Sequence, residues 1–255
     1  MIVKKHSYYK PLYKQILNLR ENVQNRKKLL KFKKQKWQKL IHYLNKAVVK
    51  SRKAKIKMNG STFYHKNYFR NFNQHSYHIP RFTKFFTRKF KDNLLSKQRF
   101  QLFYGGLSEK FIKSVIKKSL TKSNVSKINL NPSFFLTEFL ERRLDSTLFR
   151  SHFVLSFRNA RQLISHGHVL VNGKVTKKKG LLLKEGDTVG FSKKIHSLIK
   201  SYIGNSEIWP IPPKYLQINY RILQIMIVDD VKHTSPSTNF PFWLNLNGII
   251  NRYTN

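Results

Sequence analysis

The segment Ser156–Lys174, SFRNARQLISHGHVLVNGK, admits few folds. Ser156 can cap a helix, and Ala160, Leu163 and Ile164 follow at the spacing of one buried helical face. Gly167 suits the left-handed residue that ends a helix. Val169-Leu170-Val171 then reads as a short strand, and Asn172-Gly173 as the tight turn of a hairpin returning through Lys174 and Val175. Upstream, Leu144, Leu148 and Phe149 give a first short helix an inward face. Downstream, Glu185-Gly186-Asp187 marks a second turn before a closing strand, Thr188 to Phe191. The fold class expected is α+β: a mostly helical domain with an inserted unit, residues 141–192, of two helices packed on a short twisted antiparallel sheet.

The other side of the second helix is expected to carry Arg158, Arg161, Gln162 and Ser165, with His166 and His168 at its end and Asn172, Lys174, Lys177, Lys178 and Lys179 on the hairpin. Guanidinium forks match phosphate oxygens bidentately, and a rigid platform would read RNA shape and backbone more than sequence. The charge balance points the same way. Lys+Arg number 51 against 11 Asp+Glu, a formal net charge of +40. Such a body repels itself and calls for a polyanion; nucleic acid leads, because phosphate contacts release counterions, and an anionic membrane surface comes second. No apolar run approaches the ~20 residues of a membrane-spanning helix. With 40% hydrophobic residues, 20 Phe and 12 Tyr, the chain is too apolar for a disordered basic tail.

Cysteine is absent, which excludes disulfides and thiolate metal sites. The 10 His lack ligand spacing, and no metal, cofactor or small-molecule substrate is expected. Lys, Asn, Ile, Phe and Tyr, whose codons are rich in A and T, are frequent, as in an organelle genome. The N-terminal MIVKKHSYYKPLYKQ has no signal-peptide core; it is basic and acid-poor, and an organellar gene would need no transit peptide.

Residues 1–91 hold 26 Lys or Arg and one acid, Glu21. Arg26 to Lys46 reads as a helix with Leu29, Leu30, Phe32, Trp37, Leu40, Ile41 and Leu44 on its apolar face and Lys27, Lys28, Lys33, Lys34 and Lys36 offered to phosphates. Residues 51–80 read as a loop or insertion. In Arg81 to Lys91, Phe82, Phe86 and Phe90 recur every four residues, so a helix would pack them on one side of the core. A Gly-Gly turn at 105–106 precedes a helix capped by Ser108, burying Phe111, Ile112, Val115 and Ile116; Asn131-Pro132 starts another, with Phe135, Leu136, Phe139 and Leu140 inward.

The string RLDxxLxRxxF…SxxxARQLIxHGHVxVNGK…GD closely resembles the S-four RNA-binding domain. Upstream, SKQRFQLFYGGLSEKFIK is similar to the KQ…YG…EKxF segment of small-subunit ribosomal protein four, and PPKYLQINYRILQIMIVDD to its Pro-x-(Tyr/Trp)-Leu-x-(Val/Ile) segment. The C-terminal FPFWLNLNGIINRYTN is nearest the mitochondrial members, with plastid members second. The resemblance implies a basic, mostly helical domain over 1–140, the RNA-binding domain over 141–192, with Arg142 and Arg143 added to its RNA-facing residues, and a segment over 193–255 packing back on the N-terminal domain. It implies binding to small-subunit ribosomal RNA early in assembly, with small-subunit proteins three and five as neighbours, near the messenger channel where decoding accuracy is affected. The cysteine zinc site of some bacterial members is not expected here, and VTKKKGLLLKEGD lacks the family's usual Pro-Ser.

The residues also admit other readings. Arg143-Leu144-Asp145-Ser146-Thr147 is similar to the catalytic GRLDxxTxG of pseudouridine synthases, but Arg142 stands for the Gly and no separate catalytic domain has room. Lys57 to Ser61, KMNGS, only faintly resembles a synthetase loop, and His166-Gly167-His168 lacks further ligands. A free RNA-binding assembly factor would share the same RNA-binding domain.

Overall fold

The computed structural model describes residues 86–125, 131–204, 212–230 and 244–254, with isolated positions 19, 23, 35, 38, 39, 240 and 242. Lys27, Lys28, Lys33, Lys34 and Lys36, the 51–80 insertion and Phe82 lie outside these residues. The chain divides into two compact units, Met1–Phe103 with Ser237–Asn245, and Tyr104–Pro236 with Leu246–Asn255. No helix among the described residues is long and apolar enough to cross a membrane.

In the first unit, helix α1, Phe86–Phe103, buries Phe100 and Phe103. Phe103 meets Phe240 edge-on at 5.4 Å and Phe242 at 5.7 Å, so an aromatic cluster holds the helix. The Arg99 guanidinium donates to the Leu19 carbonyl. The core packing expected for Phe90 is corrected: it is 51% exposed, because the inward stripe runs through Ser96 and Phe100 instead.

The second unit starts at Gly105 and Gly106, both at positive φ. A Cβ on Gly105 would come within 2.9 Å of the Phe157 Cβ, so only glycine fits this close approach. Ser108 Oγ accepts from the Phe111 amide and starts α2, Glu109–Val125. Helix α3, Pro132–Glu141, is capped by Asn131 with proline in its first turn. Two short helices follow, α4 (Leu144–Arg150) and α5 (Phe157–Ser165). Ser156 Oγ accepts from the Asn159 amide, and α5 ends as the Gly167 amide donates to Ile164 O and the His168 amide to Leu163 O, with Gly167 at φ 73°.

The strands are β1 (Val169–Val171), β2 (Lys174–Val175) and β3 (Thr188–Phe191), then β4 (Leu216–Asn219) and β5 (Gln224–Ile227). They form a five-stranded antiparallel sheet in the order β2-β1-β3-β5-β4. The sheet is thus wider than expected: the segment beyond residue 192 adds two strands. In β5, Ile225 and Ile227 point inward while Gln224 and Met226 point out. Leu144, Leu148, Ala160, Leu163 and Ile164 pack on Val169, Val189, Phe191, Ile225 and Ile227 to make one core. Helix α6, His196–Gly204, adds Ile199 to it, and α7, Leu246–Thr254, packs on α2 and α3.

A buried carboxylate knits these parts. Glu141 is 0% exposed. It receives Arg150 Nε and Nη2 at 2.7 and 2.6 Å, the Tyr104 hydroxyl at 2.7 Å and the Tyr215 hydroxyl at 3.1 Å. Burial alone would lower the Arg150 pKa, but the Glu141 charge beside it holds it above the usual guanidinium value. Burial, then the Glu141 charge, pushes both tyrosines up. The cluster joins the start of α2, the end of α3, α4 and the approach to β4.

Replacing Arg150 with Met leaves Glu141 charged, buried and short of its cation; stability should fall by about 3–5 kcal/mol, read as a lower midpoint in urea. A midpoint within experimental error of the native value would count against this account. His152 sits at φ 61°, and burial, then the Arg150 charge, lowers its pKa to about 4. The unfolded imidazole takes its proton near pH ~6.5 while the folded one stays neutral, so stability is present above that pH and is lost as pH falls toward 4. Asn tolerates the left-handed backbone, so His152→Asn should shrink the stability difference between pH 7 and pH 5 by on the order of 2 kcal/mol. Identical pH profiles for the two proteins would remove His152 from the argument.

Candidate nucleic-acid interface

The chemistry around α5 begins with Asp145, in the first turn of α4 and 0% exposed. Arg143 Nε and Nη2 donate to its two oxygens at 2.9 Å each, and Arg161 Nε donates at 2.7 Å. Arg143 also stacks over the Phe111 ring, 4.9 Å from its centroid. The other Arg161 nitrogens donate to the carbonyls of Gly105 and Tyr104. Two arginines on one carboxylate thus fasten α5 and the 142–144 segment to the start of the helical part. The segment continues as an edge contact, with the Leu183 amide donating to Arg142 O and the Leu144 amide to Leu181 O, both at 2.9 Å.

This geometry turns Arg161 and Arg143, expected to face RNA, toward internal partners, and gives Arg142, Asn172 and Ser165 internal bonds as well. Arg161 does not face outward: it flanks the Ala160, Leu163 and Ile164 face closely enough to turn back to Asp145. Arg143 is buried in the same cluster. Arg142 donates Nε to Leu183 O at 2.9 Å and Nη1 to Glu138 at 3.1 Å. Asn172, at φ 50° in the hairpin turn, gives its amide to Asp187 at 2.9 Å and accepts the Thr188 amide at 2.9 Å; it builds the turn. Ser165 is exposed, but its hydroxyl proton goes to Arg161 O at 2.7 Å.

The remaining expected residues between 158 and 179 are exposed, except half-buried His168. Arg158, Gln162 and His166 are exposed on and after α5, and Lys174, Lys177, Lys178 and Lys179 are exposed on the hairpin and the loop beyond. A Cβ on Gly167 would lie 3.5 Å from Lys177 Cε, so that lysine runs beside the glycine between the two histidines. The His166 and His168 rings are 6.2 Å apart, and His168 Nδ1 lies 3.4 Å from Ser192 Oγ. Lys177 therefore sits at the C-terminal, partly negative end of α5. Lys184, Lys193, Lys194 and Lys200 are exposed too; charge count could have found them, but no helical pattern led to them. No group of three or more His, Cys, Asp or Glu that could hold a metal occurs among the described residues.

The surface is made basic by where the acids are. Glu138, Glu141 and Asp145 are buried and neutralise cations inside; Glu138 takes Lys122 at 2.8 Å besides Arg142. What remains outside around α5 is lysine, one arginine and neutral polar groups, suited to a phosphate backbone. As for nucleophilic chemistry at Asp145, its oxygens are enclosed by two guanidiniums.

Residues 142–189 match the S4 domain. The chain is 37% identical over 121 residues to the small ribosomal subunit protein uS4 of Aquifex aeolicus, covering 47% of this chain and 54% of that protein. It is 33% identical over 131 residues to uS4 of Granulibacter bethesdensis, 51% of this chain and 61% of that protein. With the small ribosomal subunit protein uS4m of Reclinomonas americana it is 30% identical over 199 residues, 71% of this chain and 74% of that protein. The match thus spans about half to three-fifths of the two bacterial relatives.

The two arginines of α5 should behave oppositely. Arg161→Ala removes donors from Asp145 and from two carbonyls and should cost about 3–5 kcal/mol of stability. Arg158→Ala should leave stability within about 0.5 kcal/mol and flatten the salt dependence of RNA binding by roughly 0.7–0.9 units. Denaturation and salt-titrated filter binding measure the pair; a stable Arg161→Ala protein with a flattened slope would restore the outward reading of Arg161.

Proposed function

Since the chain belongs to the uS4 family of small ribosomal subunit proteins, we propose that it is a structural, non-catalytic component of a small ribosomal subunit that binds the subunit's RNA through its S4 domain. The carrying observation is the separation of charge in the second unit: Glu138, Glu141 and Asp145 are buried as partners of arginines, while Arg158, Lys174 and Lys177 to Lys179 are exposed. Such a surface grips phosphates in a fixed geometry and contributes no reacting group. The residues proposed to meet RNA are Arg158, Gln162, Ser165, His166, His168, Asn172, Lys174, Lys177, Lys178 and Lys179, with Lys27, Lys28, Lys33, Lys34 and Lys36 from the N-terminal sequence.

The finer reading follows the family resemblance. The protein binds its RNA early in assembly, sits beside small-subunit proteins three and five near the messenger channel, and influences decoding accuracy there. The setting is the mitochondrial ribosome, supported by the uS4m relative and by the A+T-type composition.

The test is co-sedimentation. Tagged protein should travel with small subunits through a moderate-salt wash. If most of it runs free while the subunits stay intact, it is a free assembly factor and the ribosomal reading is wrong.

A further inference from the structure

Resting on the reading that Lys177, Lys178 and Lys179 meet RNA, we propose that Arg143 is a positioning residue for that lysine loop, holding it through Gly180 to the Phe111 ring of α2. A Cβ at Gly180 would lie 3.5 Å from Arg143 Nη1 and 3.7 Å from both Cζ and Nη2, so the glycine backbone rests against the guanidinium. The centroid of the Phe111 ring, half-buried on α2, stands 4.9 Å from the same guanidinium carbon. Asp145 takes Nε and Nη2. It thereby fixes the guanidinium plane and neutralises it, so the plate beneath three lysines does not add to their repulsion.

The loop needs such a hold. Residues 176–187 join β2 to β3 without a proline. Lys177, Lys178 and Lys179 set three exposed like charges in succession, and among the described residues no acid pairs with them. Hydrogen bonds inside the loop are long, with the Lys178 amide donating to Thr176 Oγ1 at 3.4 Å and the Leu181 amide to Lys178 O at 3.2 Å.

The anchors lie to either side of the lysines. Before them, Lys177 Cε would be 3.5 Å from a Cβ at Gly167. Beyond them, the Leu144 amide donates to Leu181 O, and Leu182 forms a bridge with Arg143. Gly180 on Arg143 closes the interval that carries the three ammonium groups. A lysine whose backbone is already placed loses less freedom on meeting a phosphate, so the stack raises RNA affinity without touching RNA. Gly180 itself is exposed, and a change there tests position rather than core packing.

The experiment uses the full chain and transcribed small-subunit ribosomal RNA at fixed salt, with urea unfolding alongside. Gly180→Val should weaken binding about tenfold and leave the urea midpoint unchanged, because its branched side chain must lift the loop or displace the guanidinium. Gly180→Ala should bind as the native chain does, since its methyl meets the guanidinium at ordinary contact distance. Phe111→Leu keeps an apolar side chain on α2 but removes the ring, and should weaken binding too. The double variant, Gly180→Val with Phe111→Leu, should lose no more than the worse single, as for residues acting through one contact. If K177Q/K178Q/K179Q weakens binding and flattens the salt slope by about 2–3 units while Gly180→Val binds normally, the positioning role is overturned and the RNA reading stands. If the lysine variant also binds normally, the reading of the loop fails and the proposal with it. Should the Gly180→Val midpoint fall in step with affinity, or the losses add in the double variant, Gly180 serves the fold only and the proposal is overturned.

Discussion

The second unit depends on carboxylates taken out of water. Moving a charge from water into a protein interior is costly and is offset only by close, well-oriented partners. Glu141 has a bidentate arginine and two tyrosine hydroxyls; Asp145 has one arginine on both oxygens and a second on one. Neither position tolerates the loss of a partner without stranding a charge. The two clusters lie at opposite ends of α4, Asp145 in its first turn and the Glu141 partner Arg150 in its last. A helix of 7 residues, too short to be stable alone, is thereby fixed at both ends, and α5 and the 181–183 edge are placed against it.

The same arrangement shapes the outer surface. A chain with net charge +40 has few acids to distribute, and several are buried to anchor helices. The exposed acids among the described residues are Glu109, Glu185 and Asp229. The excess of exposed lysine thus follows in part from the requirements of the core. Stability and binding are coupled: removing Asp145 or Glu141 would free guanidiniums and loosen the platform that carries the lysines.

Much of this unit was legible in the residues. The Ser156 cap, the Gly167 stop and the Asn172-Gly173 turn fix backbone conformations locally, and local rules are readable in one dimension. The Asn131-Pro132 helix start is of the same kind. The inward turn of Arg161 was not legible, because it depends on an acid 16 positions away and on two carbonyls more than 50 positions away. The two strands beyond residue 192 were not legible for a related reason: their place in the sheet beside β3 is set by tertiary register. Phe90 failed because a four-residue repeat gives a stripe but not its depth.

One distinction accounts for most of the corrected site residues. Arginine's planar fork meets a carboxylate or a pair of carbonyls with little loss of freedom on binding, whereas the lysine ammonium is strongly hydrated and mobile. The protein sorts the two accordingly. Among side chains described, Arg99, Arg142, Arg143, Arg150 and Arg161 are buried or half-buried in internal bonds, and Arg158 and Arg221 are the exposed arginines. Described lysines are exposed except Lys97 and Lys122. Assigning phosphate contacts by guanidinium chemistry alone therefore favours the residues the core has already engaged. In so basic a chain, an arginine within reach of one of the scarce acids is first a strut, and the lysines are the cations left outside.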